Sequence, residues 1–495
     1  MKSVRPTSPN SRRLMTPQIS RRSFLRRAAM ATTILSLSPR SWAQVAGANS
    51  DIRVAVVGFG GRGSSHISAF TKMPGVRLVA LCDCDRKILE NAAKRFTDQG
   101  TPVQSFTDYR QLLEAKNVDV ISSATPNHWH ALNVVWACQA GKDVYVEKPV
   151  SHNVWEGRQA VLAARKYRRM VQAGTQSRSS RDGIAAAVAW VKAGNLGKIK
   201  VARGLCYKRR DTIGKVDGPQ PVPPEIDYDL WCGPARKLPL MRKRLHYDWH
   251  WVWNTGNGDL GNQGIHEMDV ARWFLGVQEL SPRILSLGGR LSYVDDGETP
   301  NTMVILHDYP EAPLIFEVRG LPASKGDKNM DKYKGAGVGI VIECEGGHVT
   351  VPSYTAATAY DRDNKEIKSW RGAEDHYANF IKAVRSRKSE DLHADILEGH
   401  LSSALCHTGN ISYRLGSRKS PAEMIEALKN DRDLAEAFDR MAQHLARNEV
   451  DLSREMATLG VALRMNPTTE QFIQNEAAEA LLTREYRNPF VVPKV

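Results

Sequence analysis

Ile52–Gly63 reads IRVAVVGFGGRG, His66–Met73 reads HISAFTKM and Val76–Asp83 reads VRLVALCD. Ile52 to Val57 is a nearly continuous apolar run, the pattern of a short strand buried on both faces. It passes directly into Gly58-Phe59-Gly60-Gly61-Arg62-Gly63, a G-x-G-x-x-G. Gly58 permits the tight turn, Gly60 admits a pyrophosphate close to the backbone, and Gly63 lets the following helix pack against the strand. Free N–H groups at the helix start then meet the phosphates, and the macrodipole favours negative charge there. The second apolar run, Val76 to Cys82, ends at Asp83, where a carboxylate accepts hydrogen bonds from the adenine-ribose hydroxyls. Strand, glycine turn, helix, strand and terminal acid in this order predict dinucleotide binding. Asp83 repels a 2′-phosphate, so NAD is expected over NADP, although Arg62 and Arg86 leave that choice open at this level.

A chain of 495 residues holds two domains, or one with a large addition. Hydrophobic residues at 42% and charged residues at 25% are ordinary for a globular protein. The net charge of +15 is concentrated: residues 1–50 carry nine Lys or Arg and no acid, so the remainder is near +6. That balance gives no reason to invoke nucleic acid. The seven cysteines are scattered and are expected to be buried thiols. No metal-ligand pattern stands out, since the His266-Glu267 pair lacks the second histidine of a zinc motif.

Ser20-Arg21-Arg22-Ser23-Phe24-Leu25-Arg26 matches the twin-arginine export pattern, and Ala28–Leu37 is apolar but too short to span a bilayer. Small-residue cleavage sites follow at Ser41-Trp42-Ala43 and Ala46-Gly47-Ala48. Residues 1–48 are therefore expected to be a signal peptide and linker. The mature protein is expected in the periplasm, its membrane contact limited to the translocon. Lysine in place of both Arg21 and Arg22 is expected to leave the precursor in the cytoplasm, with no loss of the first 43 to 48 residues. Normal export of that variant, read by fractionation, rules the assignment out.

From Asp51 to about Gln176 strands and helices alternate. Helices are expected at Arg86–Thr97, from Asp108, at Trp129–Gln139 and at Val154–Tyr167, and strands at Val103–Phe106, Val118–Thr125, Asp143–Glu147 and Met170–Gln176. Such alternation implies a parallel sheet covered on both faces, with ligands at the carboxyl ends of its strands. Two of those ends carry chemistry: Ala124-Thr125-Pro126-Asn127-His128-Trp129-His130, and Glu147-Lys148-Pro149. A lysine facing a nicotinamide from a strand end donates to a substrate hydroxyl and relays its proton.

Together these features resemble the Gfo/Idh/MocA family, the glucose–fructose oxidoreductase and inositol dehydrogenase group. The resemblance rests on Gly58–Gly63, Asp83, the Thr-Pro-Asn before His128, Glu147-Lys148-Pro149, Gly174-Thr175-Gln176 and a later histidine motif, over roughly residues 51–415. It implies that Lys148 is catalytic or orients substrate, and that Asn127, Glu147 and Gln176 line the nicotinamide half of the cofactor. With the glycine loop (Gly58, Phe59, Gly60, Gly61, Arg62, Gly63), Asp83, Thr125, Pro126, His130 and Lys148, these are the expected cofactor contacts.

After Gly183 the pattern changes, with a helix at Ile184–Ala193 and a strand at Lys198–Tyr207, then a long connection, residues 208–257, rich in Pro, Gly, Arg and Trp. Its aromatic clusters around Trp231 and Trp251 suit the C–H faces of sugar rings. A glycine-rich stretch then leads to His266, the active-site histidine that the resemblance implies; many relatives carry Asp where this chain has Asn262. Asn bonds a hydroxyl but takes no proton, which leaves base work to His266 or Lys148. Tyr207, Trp251, Asn262 and Asp269 are the expected substrate contacts. Residues 283–351 hold five strand-like runs, predicting a largely antiparallel sheet in an α+β domain. In relatives one face of that sheet is open and pairs subunits, so a homodimer or homotetramer is expected. Residues 419–495, beyond the usual family core, read as helices at Pro421–Leu428 and Leu434–Leu445 followed by an extended tail.

The expected organisation is thus an NAD-binding Rossmann domain at 49–178, an α+β substrate and oligomerisation domain at 179–418, and an extension at 419–495. The function expected is oxidation of a carbohydrate or cyclic polyol by tightly held NAD. One rival is an NAD-dependent glycoside hydrolase or lyase that oxidises, eliminates and re-reduces without net redox. The other is a non-catalytic sugar-binding scaffold, against which the intact glycine loop, Asp83 and Lys148 argue.

Overall fold

Alternate residues of β1 (Ile52–Val57) feed two different cores, which is why the run is apolar apart from Arg53. Val54 and Val56 pack with Phe70, Leu89 and Phe380, while Ala55 and Val57 pack with Leu112, Leu132 and Ala160. In this computed structural model residues 51–495 are described; the segment with the twin-arginine pattern and both cleavage sites lies outside the described residues. The first sheet adds β2 (Val76–Cys82), β3 (Gln104–Phe106), β4 (Val120–Ser123), β5 (Asp143–Val146) and β6 (Val171–Ala173). Their order is β3-β2-β1-β4-β5-β6 and every pairing is parallel. The order reverses between β1 and β4, so a crevice opens beyond their carboxyl ends. Asp85, Asp108 and Asn153 cap three of the covering helices with side-chain oxygens on free backbone N–H groups. Part of the first face is covered by a helix from far along the chain, His376–Ser386.

The second sheet begins with β7 (Ile199–Tyr207), β8 (Arg283–Gly289), β9 (Thr302–His307) and β10 (Leu314–Arg319). It continues with β11 (Val338–Cys344), β12 (Gly347–Val351), β13 (Ala356–Asp361) and β14 (Glu366–Arg371). Its order is β14-β13-β12-β11-β7-β10-β9-β8, antiparallel except for the β7–β10 pair, and it continues past β8 through the short strands Thr458–Leu459 and Leu463–Asn466 of the extension. The hairpin β13–β14 was not among the expected strands; β14 is exposed along most of its length and shows no apolar alternation. The inner face packs on helices Ile265–Leu275 and Ile396–Arg414 through Phe316, Ile305, Ile342, Met268 and Leu405.

Over β8, β9 and β10 the outer face, open in the expectation from the resemblance, is occupied here by the chain's own extension. Helices Pro421–Leu428 and Arg432–Arg447 lay Met424, Leu434, Phe438 and Met441 onto Leu285, Leu287, Val304, Leu306 and Ile315. Charged residues of the same face are matched as well: Glu317 binds Arg440, and Arg203 pairs with Glu436. The tail beyond them returns to the first domain, where Phe490 sits 5.5 Å from Trp129, ring centre to ring centre. Among the described residues no helix is long and apolar enough to cross a membrane. All seven cysteines are free thiols, and six of them are buried.

Candidate active site

A cavity of about 640 Å³ lies at the carboxyl ends of β1, β2, β4 and β5 and extends to the start of helix Ile265–Leu275. The glycine loop forms one end. Gly58 has φ +73°, and a Cβ on it would lie 2.9 Å from Thr125. A Cβ on Gly63 would lie 2.1 Å from the carbonyl oxygen of Gly58, so the helix starts hard against the turn. A Cβ on Gly61 would meet nothing within 4 Å, and no side chain caps the helix that begins at Gly63. An open backbone surface with uncapped N–H groups fits a pyrophosphate. Asp83 accepts from the N–H groups of Phe59 and Asp85, both at 3.0 Å, which holds its carboxylate against the loop.

At the other end, Glu147 and Lys148 leave β5 together. Glu147 is buried, and its carboxylate takes hydrogen bonds from His66 at 3.1 Å and Arg62 at 3.2 Å. Burial opposes its ionisation, but His66, Lys148 and Arg62 hold it well below the usual carboxylate range. Lys148 Nζ donates to the carbonyl oxygen of Asn262 at 2.5 Å. Burial pushes its ammonium below the ordinary lysine range, with Glu147 and Glu267 opposing the shift. Asn262 lies in a π-turn, Leu260–Gly264, that runs into the helix carrying His266. A wide turn of this kind re-aims side chains ahead of a regular helix. Burial, then Lys148, pushes the His266 imidazole down to about 3, and its Nδ1 has no hydrogen-bond partner.

Glu267, next on that helix, is buried, with Oε1 accepting from Gln263 at 3.1 Å and Oε2 unpartnered. Burial raises its carboxyl from 4.5 to about 8. Across that interval the folded protein holds a proton that the unfolded chain has released. Stability is therefore full at acid pH and falls as pH rises towards 8, by about 1 kcal/mol per pH unit from this group. Glu267→Gln is expected to remove that component. Denaturant midpoints of both proteins between about pH 5 and 8 check it, and parallel curves count against it.

Residues 52–175 match the oxidoreductase family with an NAD-binding Rossmann fold, Gfo/Idh/MocA, and residues 191–297 match the C-terminal α/β domain of the same family. Over these two segments, a little under half of its length, the chain is similar to the Gfo/Idh/MocA family. Among similar curated proteins, a glycosyl hydrolase family 109 protein of Shewanella pealeana is 33% identical over 120 residues, 23% of this chain and 26% of that protein. Another, from Shewanella baltica, is 32% identical over 171 residues, 30% of this chain and 37% of that protein. The match thus spans about a quarter to a third of these relatives. Among solved structures, the WlbA dehydrogenase of Bordetella pertussis, in complex with NADH and UDP-GlcNAcA, aligns with a TM-score of 0.52 at 22% identity. That alignment covers 72% of this chain and 94% of the other. A levoglucosan dehydrogenase, in complex with NADH and levoglucosan, aligns with a TM-score of 0.52 at 16% identity, over 72% and 95% of the two chains. At these identities the likeness is one of fold.

The cavity in this chain is lined by Gly58, Phe59, Gly60, Gly61, Arg62 and Asp83 at the loop end. Thr125, Pro126, Asn127, His130, Glu147, Lys148, Gln176, Asn262 and His266 line the rest. Gly63 sits behind the loop as packing. The His130 ring lies between the carbonyl oxygens of Thr125 and Pro149, at 2.7 and 2.5 Å, and as a neutral imidazole donates to one of them, so it sits where the two strand ends meet.

Three expected substrate contacts lie elsewhere. Tyr207 is on the outer face of β7, its hydroxyl donating to Glu317 at 2.6 Å, because strand alternation sends it opposite to Cys206. Trp251 is buried beneath Arg210, whose guanidinium lies 5.1 Å from the ring centre and pairs with Asp259. Asp269 is fully buried in an ion pair with Arg178. The aromatic connection does reach the cavity, but through Trp231, Tyr247, Trp249 and His250. Lys208, Gln263 and Tyr354 line it too, joined by hydrogen bonds from Lys208 to Gln263 at 3.0 Å and from Gln263 to Tyr354 at 2.9 Å. Gln263 was in sight beside Asn262; Tyr354, in the loop after β12, carries no sequence signal.

Proposed function

We propose that the protein oxidises a secondary alcohol of a carbohydrate or cyclic polyol, with Lys148 and His266 as the groups that handle the hydroxyl proton. The observation that carries this reading is Lys148 Nζ, half-buried at the strand end in the proposed nicotinamide half of the cavity, with one donor spent on the Asn262 carbonyl. An ammonium has three donors, so two remain for a substrate hydroxyl. A bound nicotinamide dinucleotide supplies the redox partner for the carbon. His266 is neutral at physiological pH, so one ring nitrogen keeps a lone pair for the proton that leaves oxygen. Asn262 accepts or donates to a neighbouring hydroxyl, and Trp249 supplies an apolar wall.

NAD is the cofactor this reading favours. Arg62 is held by Glu147 at the nicotinamide end, and Arg86 donates to the carbonyl oxygen of Pro224 at 2.8 Å, so neither cation stands at Asp83. Asp83→Ser is expected to shift the NADP-to-NAD affinity ratio towards NADP by roughly tenfold to a hundredfold. Titration of both cofactors into stripped protein reads it; an unchanged ratio removes Asp83 as the selector.

A redox-neutral hydrolase or lyase is the second reading, favoured by the curated relatives named for glycosyl hydrolase family 109. It needs a further acid–base group for the neighbouring C–H, and His250 and Tyr354 both line the cavity. The two readings separate on one experiment. Protein purified with its cofactor is mixed with free sugars and with glycosides while reduced-nicotinamide absorbance is followed. A lasting change supports net oxidation, a transient change with release of the aglycone supports the second reading, and no change with any sugar rejects both.

A further inference from the structure

A second cleft, of about 470 Å³, opens where the C-terminal extension meets the aromatic connection and the helix Ile396–Arg414. Arg236, Arg414 and Arg484 line it. Among the described residues none of the three pairs with a carboxylate, whereas Arg487 and Arg158 nearby are paired with Asp229 and Glu470. The two acids at the cleft, Glu298 and Glu485, are exposed at its rim, and Glu298 is engaged by the backbone N–H of Trp253 at 2.6 Å. Arg414 lies over the Trp253 ring, 5.2 Å from its centre. Arg484 is half-buried and uses its guanidinium on His152 Nδ1 at 3.1 Å and the carbonyl oxygen of Asn254 at 2.9 Å. Arg414 is exposed, with Glu298 favouring its charge and Arg484 opposing it; burial holds the Arg484 guanidinium below its ordinary range, with Glu156 resisting that shift and Arg236 adding to it. At the cleft floor His407 is 3% exposed and its Nδ1 has no partner.

Like charges gathered in a concave site without a direct ion pair, beside a buried polar atom without a partner, are what an anion completes. We propose that this cleft is a second ligand site, for a small organic anion whose carboxylate or phosphate sits between Arg414 and Arg484 with its body against Trp253. The site is separate from the cofactor cavity but touches it through one residue. Asn257 lines the cleft and accepts from Asn127, a lining residue of the cofactor cavity, at 3.0 Å. Residues Ala480–Glu485 of the extension supply one wall, so the extension is required for the cleft to exist.

Calorimetric titration of the full, cofactor-loaded protein at fixed ionic strength tests this with glucuronate, glucose 6-phosphate, inorganic phosphate and glucose as probes. Saturable binding of glucuronate or glucose 6-phosphate, tighter than inorganic phosphate and absent for glucose, is the expected result; which of the two binds tells carboxylate from phosphate. Arg414→Gln is expected to weaken that binding about tenfold or more, with cofactor content unchanged. Arg484→Gln is expected to do the same; should it fail to fold, Arg414→Gln decides alone, since the exposed Arg414 stacks on Trp253 and makes no side-chain hydrogen bond or ion pair among the described residues. Binding of inorganic phosphate as tight as either sugar anion means an adventitious ion only and overturns the proposal. So does no binding, equal binding of glucose, or unaltered affinity in Arg414→Gln.

Discussion

Lys148→Ala is expected to slow turnover by about a hundredfold or more, the usual worth of a positioned acid–base group. The same change is expected to leave cofactor content intact and to lower the thermal midpoint only slightly, since it removes a single hydrogen bond worth about 1 kcal/mol. The distinction rests on geometry: Nζ contacts the Asn262 carbonyl, and the phosphate-binding end of the cavity is built by Gly58–Arg62 and Asp83 instead. Turnover is measured under the substrate screen above, with bound nucleotide quantified after denaturation. Retained activity would overturn the assignment of Lys148. Loss of nucleotide from the variant would make it a cofactor ligand and leave His266 as the principal proton acceptor.

A larger effect, of another kind, is expected at Asp269. Its carboxylate receives two hydrogen bonds at 2.9 Å from the Arg178 guanidinium and one at 2.6 Å from Ser402, with no exposure to water. Asp269→Ala leaves Arg178 and Arg272 in the interior with only Glu398 between them. Breaking a buried pair in this way costs about 3–5 kcal/mol, which lowers the thermal midpoint by roughly three to five degrees in a chain of this size. A substrate-binding aspartate behaves differently: its loss raises KM and leaves the midpoint in place. That second outcome, seen by calorimetry and kinetics together, would return Asp269 to the substrate.

What separates Lys148 from Asp269 is also what separates the legible part of this chain from the rest. The glycine loop, Asp83 and Glu147-Lys148 stand in sequence beside the strands that position them, so local pattern locates them. Asp269 is decided by Arg178, 91 positions away, and Tyr207 by which face of β7 it occupies. Residue type and neighbours in sequence record neither. Trp251 shows the same limit within one short segment, where Trp249 reaches the cavity and Trp251 turns under Arg210. The hairpin β13–β14 escaped notice because an exposed edge strand needs no apolar face.

The helices of residues 421–447 bear on how subunits meet. A sheet face covered by another copy of a protein is uncovered by dilution, because that contact is bimolecular. Here the covering helices are tethered to the sheet they protect, and a tether of this length maintains a local concentration in about the millimolar range however dilute the protein becomes. The packing of Phe438 and Met441 on Leu287 and Val304, and the binding of Glu317 by Arg440, are therefore indifferent to protein concentration. Any assembly of this chain has to be built on a surface other than the one its own extension already fills.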